Sequence, residues 1–238
     1  MRIEVVETVD EIRHDQIAKR TVVVIDVLRA SSTIVTALAH DFSYIVPVDT
    51  VGQAFALRNS HSLLAGERHC KKISDFHYNN SPTDLMKAEA DGRHLILTTT
   101  NGTRAIHKAE RAEMLLVGCF LNATACMEQA LAKRADITLY CAGSRQEFAL
   151  EDGLAAGLMI HRAKQREPTL SVCDLGVALE ASYQQFAEAL TERVMLSATA
   201  KRLVQQQYTA DIDHCCRVDL YQLVPVLREK RIYPHLVS

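Results

Sequence analysis

The run Thr21-Val22-Val23-Val24-Ile25-Asp26 constrains this chain more than any other segment. Five β-branched residues in succession, with no polar alternation, make a strand only where both faces are buried, as in a sheet covered by helices. The run closes on a carboxylate and a polar turn, Val27-Leu28-Arg29-Ala30-Ser31-Ser32-Thr33, and then Ile34, Val35, Ala37 and Leu38 recur at helical spacing. Two later segments repeat this grammar. His94-Leu95-Ile96-Leu97-Thr98 leads through Thr99-Thr100-Asn101-Gly102-Thr103 into a helix reaching about Ala109. Ile137-Thr138-Leu139-Tyr140-Cys141 leads through Ala142-Gly143-Ser144-Arg145-Gln146 into a long helix reaching about Lys164. Met114–Val117 reads as a further strand, and Asn122 as the cap of a helix over Ala123–Lys133. Tyr44–Val48 is extended, with Pro47 pointing to an edge or a bulge.

Strands alternating with helices predict an α/β fold with a mainly parallel or mixed sheet and helices on its faces. After Pro168 the pattern turns helical, best over Ala181–Leu190 and Ser197–Tyr208, and a last extended stretch covers Leu223–Leu227. No Gly/Ser-rich linker interrupts the 238 residues, so they read as a single domain, 1–238, with a helical C-terminal part.

Composition narrows the function classes. Hydrophobic residues make up 48% of the chain, enough for a sizeable core, which excludes a disordered or fibrous protein. The net charge of −2 offers no general attraction to nucleic acid or to an anionic membrane. No stretch approaches the roughly 20 apolar residues of a membrane span, and the acid-rich N-terminus lacks a signal-peptide core. Seven cysteines without a C-x-x-C pair fit reduced thiols and a cytoplasmic protein better than a disulfide framework. Apolar C-terminal helices leave room for a homo-oligomer.

In open α/β sheets, ligands collect where strands run into helix N-termini, whose unpaired N–H groups favour anions. Three such loops here carry short hydroxyl and amide side chains: Ser31-Ser32-Thr33, Thr99 to Thr103, and Gly143-Ser144. Helix capping accounts for any one of them; three together, beside Arg29 and Arg104, point to a phosphate or a related anion. Asp26, at the end of a buried strand, reads as a Mg²⁺ ligand, a general base or a nucleophile, or else as the partner of Arg29. Gly66-Glu67-Arg68 follows the apolar Leu63-Leu64-Ala65, placing a metal-binding carboxylate and a guanidinium at another strand end, unless the two form a surface ion pair. Asn79-Asn80-Ser81-Pro82 is a turn that can offer amide and hydroxyl donors. Glu147, Glu151 and Asp152 open the third long helix, with Glu147 and Glu151 on one face; such acids suit Mg²⁺ or simply complement the helix dipole. The Walker loop, G-x-G-x-x-G and G-x-S-x-G are all missing from the sequence.

Taken in order, Val24-Ile25-Asp26-Val27-Leu28-Arg29-Ala30-Ser31-Ser32-Thr33, Gly66-Glu67-Arg68, Asn80-Ser81-Pro82, Thr98 to Thr103, Cys141-Ala142-Gly143, Phe148 to Asp152, Ala156-Gly157, Asp211 to Cys215 and Val224-Pro225-Val226-Leu227 resemble the 2-phosphosulfolactate phosphatase (ComB) family. The resemblance spans about Val22 to Leu227. It implies a ComB-like α/β fold and a Mg²⁺-dependent phosphatase that converts 2-phosphosulfolactate to sulfolactate and phosphate, a step of coenzyme M biosynthesis. The substrate is a small anionic phosphoester carrying roughly four negative charges. Those charges call for Mg²⁺ and arginines, and Arg29, Arg68, Arg104 and Arg145 lie in or beside the loops. In this reading Asp26, Glu67, Glu151 and Asp152 hold the metal and, with Arg29 and Asn101, carry the chemistry. Ser31, Ser32, Thr33, Asn80, Ser81, Thr99, Thr100, Gly102, Thr103 and Gly143 join the arginines in binding substrate. Two alternatives stay open: a phosphatase for another phosphorylated hydroxy acid, and a non-catalytic binder of a phosphorylated or sulfonated metabolite.

Overall fold

The computed structural model describes residues 1–236. Its strands are β1 (Arg2–Val6), β2 (Thr21–Ile25), β3 (Ile45–Pro47), β4 (Ser62–Arg68), β5 (Lys71–Lys72), β6 (His94–Thr98), β7 (Met114–Gly118), β8 (Ile137–Cys141), β9 (Ser171–Val172), β10 (Leu223–Arg228) and β11 (Arg231–Leu236). The helices are α1 (Ala30–Ala39), α2 (Val51–Leu57), α3 (Pro82–Leu85), α4 (Gly102–Lys108), α5 (Ala123–Ala132), α6 (Leu150–Arg166), α7 (Asp174–Phe186), α8 (Leu190–Met195), α9 (Ala198–Gln205) and α10 (Thr209–Cys215).

All the strands join one mixed sheet in the order β5-β4-β6-β3-β11-β10-β7-β2-β8-β1-β9. β2 lies between β7 and β8, parallel to both, and all five of its residues are buried. That is the environment its unbroken β-branched run demands. A parallel block β7-β2-β8-β1-β9 and a second parallel block β4-β6-β3 are separated by the antiparallel hairpin β10–β11. The hairpin meets β7 on one side and β3 on the other, antiparallel each time, so the two blocks run in opposite senses. α1 packs on β7, β10 and α3, while α6 packs against α5 and α7. Helices α7 to α10 form the helical C-terminal part ahead of the hairpin.

Several sequence expectations change here. β3 is an interior strand, not an edge; Pro47 is tolerated because it is the last residue of the strand, where the ladder ends. Leu223–Leu227 is half of the central hairpin, not an isolated extension. Asn122 precedes α5 without a side-chain cap; its amide accepts from Cys119 N–H and donates to the carbonyls of Val117 and Leu223. α6 begins at Leu150, which leaves Glu147 in the preceding loop and off the helical face of Glu151. All seven thiols are free, and among the described residues no helix is long and apolar enough to cross a membrane.

Candidate active site

The carboxyl ends of β2 and β8 in one block and of β4 and β6 in the other converge on a cleft. Asp26, Arg29, Glu67, Asn80, Thr99, Thr100, Asn101, Gly143 and Arg145 line it, nine of the residues that the sequence singled out.

Asp26 is held from both ends. Its own N–H donates to Ser31 Oγ at 2.9 Å, and its Oδ1 accepts from Ala30 N–H at 3.2 Å. Its other oxygen, Oδ2, faces the start of α4. A Cβ on Gly102 would lie 2.6 Å from that oxygen and 2.3 Å from the Ala30 Cβ, so glycine lets α4 approach the carboxylate. Glu67 is held just as firmly: Oε1 accepts from the N–H and hydroxyl of Thr100 at 2.9 and 2.8 Å, and Oε2 accepts from Cys70 N–H at 2.8 Å. Asn101 donates to the Gly143 carbonyl at 2.9 Å and thereby joins the β6 and β8 loops.

Asp152 sits behind the cleft rather than in its lining. Its oxygens accept from Val27 N–H at 2.8 Å and Gly143 N–H at 3.1 Å, fastening the loops after β2 and β8 to α6. Beside it, Glu151 is buried and its Oε2 has no hydrogen-bond partner. Burial pushes the Asp26 pKa up to about 7, with repulsion from Glu67 and Glu151 adding to it and the Ala30 N–H and Arg29 opposing it. Burial, then Asp26 and Glu151, likewise raise Asp152 well above the usual carboxylate range.

Among the described residues no three His, Cys, Asp or Glu side chains are gathered into a ready ligand shell. Mg²⁺ does not require one, because it keeps several waters and takes one or two carboxylates together with substrate phosphate. A site with Asp26 and Glu67 on its wall and a buried Glu151 oxygen left without a partner, both glutamates repelling the charge of Asp26, fits a hard divalent cation.

Other expected site residues face elsewhere. Ser31 Oγ donates to the Val24 carbonyl and Ser32 Oγ to that of Val27, so both hydroxyls shape the β2–α1 turn instead of the cleft. Thr33 is buried with an unpartnered hydroxyl and does not line the cleft. Thr103 exchanges hydrogen bonds with Thr99 across the first turn of α4. Arg68 donates to the carbonyls of Glu67 and Asp49 and to Thr98 Oγ1, and Arg104 pairs with Asp10 at 3.1 Å on the surface. The sequence overestimated these two because closeness along the chain does not fix where a long side chain points. Arg29 is tied to Asp211 at 2.6 Å, the two side chains 2% and 0% exposed, and its guanidinium stacks over the Tyr208 ring. Asp211 also accepts from Ser81 Oγ and from the N–H and hydroxyl of Thr83.

Arg202, Thr199 and Leu203 of α9 also line the cleft, together with Leu28, His69, Cys70 and Ser144. Arg202 went unnoticed because Lys201-Arg202 on an amphipathic helix reads as a solvated face.

The family model described as 2-phosphosulpholactate phosphatase matches residues 6–230. A probable 2-phosphosulfolactate phosphatase of Thermotoga maritima is 40% identical over 211 residues, covering 87% of this chain and 89% of the relative. A protein of the same description from Clostridium acetobutylicum is 33% identical over 228 residues, covering 94% and 97%.

Proposed function

Because the chain belongs to the 2-phosphosulfolactate phosphatase family, we propose that it hydrolyses 2-phosphosulfolactate to sulfolactate and inorganic phosphate in the cleft at the end of β2. It is a phosphoric monoester hydrolase. The observation that carries the site assignment is Asp26, a buried residue anchored through its backbone N–H and one carboxylate oxygen, on the wall of a cleft to which both blocks bring their carboxyl ends.

Asp26 and Glu67 are the residues that would hold Mg²⁺, with Glu151 adding negative charge behind them. When bound, the ion would supply positive charge to the phosphoryl oxygens and to the attacking water. The amides of Asn80 and Asn101 and the hydroxyl of Thr99, all in the lining, would orient the phosphoryl group for in-line attack, while Thr100 steadies Glu67 through its N–H and hydroxyl. Asp152 acts at one remove, keeping the Val27 and Gly143 backbone in position. Arg29 works from a fixed, neutralised seat between Asp211 and Tyr208, where it offsets the charge of Asp26. Seven unpaired thiols support a reducing compartment such as the cytoplasm.

Phosphate release from 2-phosphosulfolactate, with Mg²⁺ and then with EDTA, tests the proposal. Turnover that EDTA abolishes is expected. Turnover insensitive to EDTA would remove the metal from it, and a folded protein that releases no phosphate would overturn the substrate.

A further inference from the structure

The cleft is lined by acids and by arginines. Asp26 and Glu67 stand at the strand ends, whereas Arg145 and Arg202 flank Ser144, the first as its chain neighbour and the second by donating from Nη2 to Ser144 Oγ at 2.5 Å. The same nitrogen reaches Thr199 Oγ1 at 3.1 Å. Both of these acceptors are neutral, and among the described residues neither Arg202 nor Arg145 takes part in an ion pair, unlike Arg29 and Arg104. A guanidinium has five N–H donors in a rigid fork, so one nitrogen seated on two hydroxyls fixes the group while leaving donors for a ligand. Arg202 is only partly exposed, and its seat, α9, is anchored by Ser197, which caps the helix by accepting from Ala200 N–H.

We propose that Arg202, assisted by Arg145 at the mouth of the cleft, is the subsite for a second anionic group on the substrate, and that this group is the sulfonate. The inference rests on the phosphatase reading for the identity of the substrate. In 2-phosphosulfolactate the carboxylate is bonded directly to the carbon that bears the phosphate and must stay beside it. The sulfonate sulfur lies one bond farther out and is the anion able to reach a side chain away from the phosphoryl group. A planar fork that binds an oxyanion through two parallel N–H bonds recognises it in a way that a lysine ammonium cannot reproduce.

The test compares the wild type with Arg202→Ala and Arg202→Lys on two esters, 2-phosphosulfolactate and 2-phospholactate, which lacks only the sulfonate. Losing a charged hydrogen-bonding partner should lower kcat/KM for the sulfonated ester by about 10- to 100-fold. The loss should appear mainly in KM and leave the 2-phospholactate value unchanged, so that the preference collapses; Arg202→Lys should fall between. Equal losses on both esters, or no loss on either, would overturn the proposal. Calorimetric titration with sulfolactate gives a second readout that needs no turnover. Weaker binding by Arg202→Ala supports the subsite, while equal affinity, or no binding by the wild type, overturns it. Failure of the phosphatase reading itself would show separately, as a wild type that releases phosphate from neither ester.

Discussion

A buried carboxylate at the end of a central strand is costly unless something offsets it, and Asp26 shows that cost directly. Its proton affinity is raised to about 7 by burial and by neighbouring acids. The folded protein therefore binds a proton there more tightly than the unfolded chain, whose Asp titrates near 3.8. Below about pH 4 the difference adds no penalty; it grows as pH rises and is complete above pH 7. Asp26→Asn should accordingly lower activity by about three orders of magnitude or more while raising the melting temperature of the metal-free protein. That gain should be largest above pH 7 and fade toward pH 4, read as paired thermal melts across the range. A variant destabilised at pH 8 would show that the carboxylate is already compensated within the fold. Much of this site was legible in the sequence, because the strands within one parallel block bring their polar carboxyl ends to the same side; that two opposed blocks share a cleft was not legible. Arg202 and the contacts of Arg68 and Arg104 were not, since each depends on where a flexible side chain lands after folding.

At the scale of elements, Asp211 is the bolt between the helical C-terminal part and the sheet. From α10 it accepts from Arg29 at the start of α1 and from Ser81 and Thr83 around α3. Removing it strands a buried guanidinium, which costs about 3–5 kcal/mol when one partner of a buried pair is lost. Asp211→Ala should therefore lower the melting temperature markedly and reduce activity as Arg29 loses its seat, with Asp211→Asn, which keeps an acceptor, milder in both. Equal melting of Asp211→Ala and wild type would remove the bolt from this account. The strands β2, β6, β7 and β8 were readable from short apolar runs closed by turns. β1 was not, because Arg2 and Glu4 break its apolar run and its pairing with β8 and β9 is a tertiary outcome. The start of α6 was misjudged because Glu147 resembles part of a first helical turn with Glu151 and Asp152, whereas the Ser144–Glu147 bridge holds it in the loop.

At the scale of the whole molecule, the strand order was beyond the reach of periodicity, which reports what each face buries and not which neighbour buries it. The hairpin β10–β11 carries the strand pairing between two parallel blocks of opposite sense. A chain ending before Leu223 should then lose its cooperative melting transition; a sharp melt in that variant would show that the blocks hold together without the hairpin. The two strands in the middle of this sheet also follow all its other strands along the chain and are synthesised after them. While the polypeptide emerges from the ribosome, every parallel ladder can form, yet β3 and β7 each expose a strand edge whose partner does not yet exist. Bare edges invite pairing with other chains. For this protein the danger of misassembly is thus concentrated in an interval of time, the wait for the final strands, and it closes when the hairpin inserts.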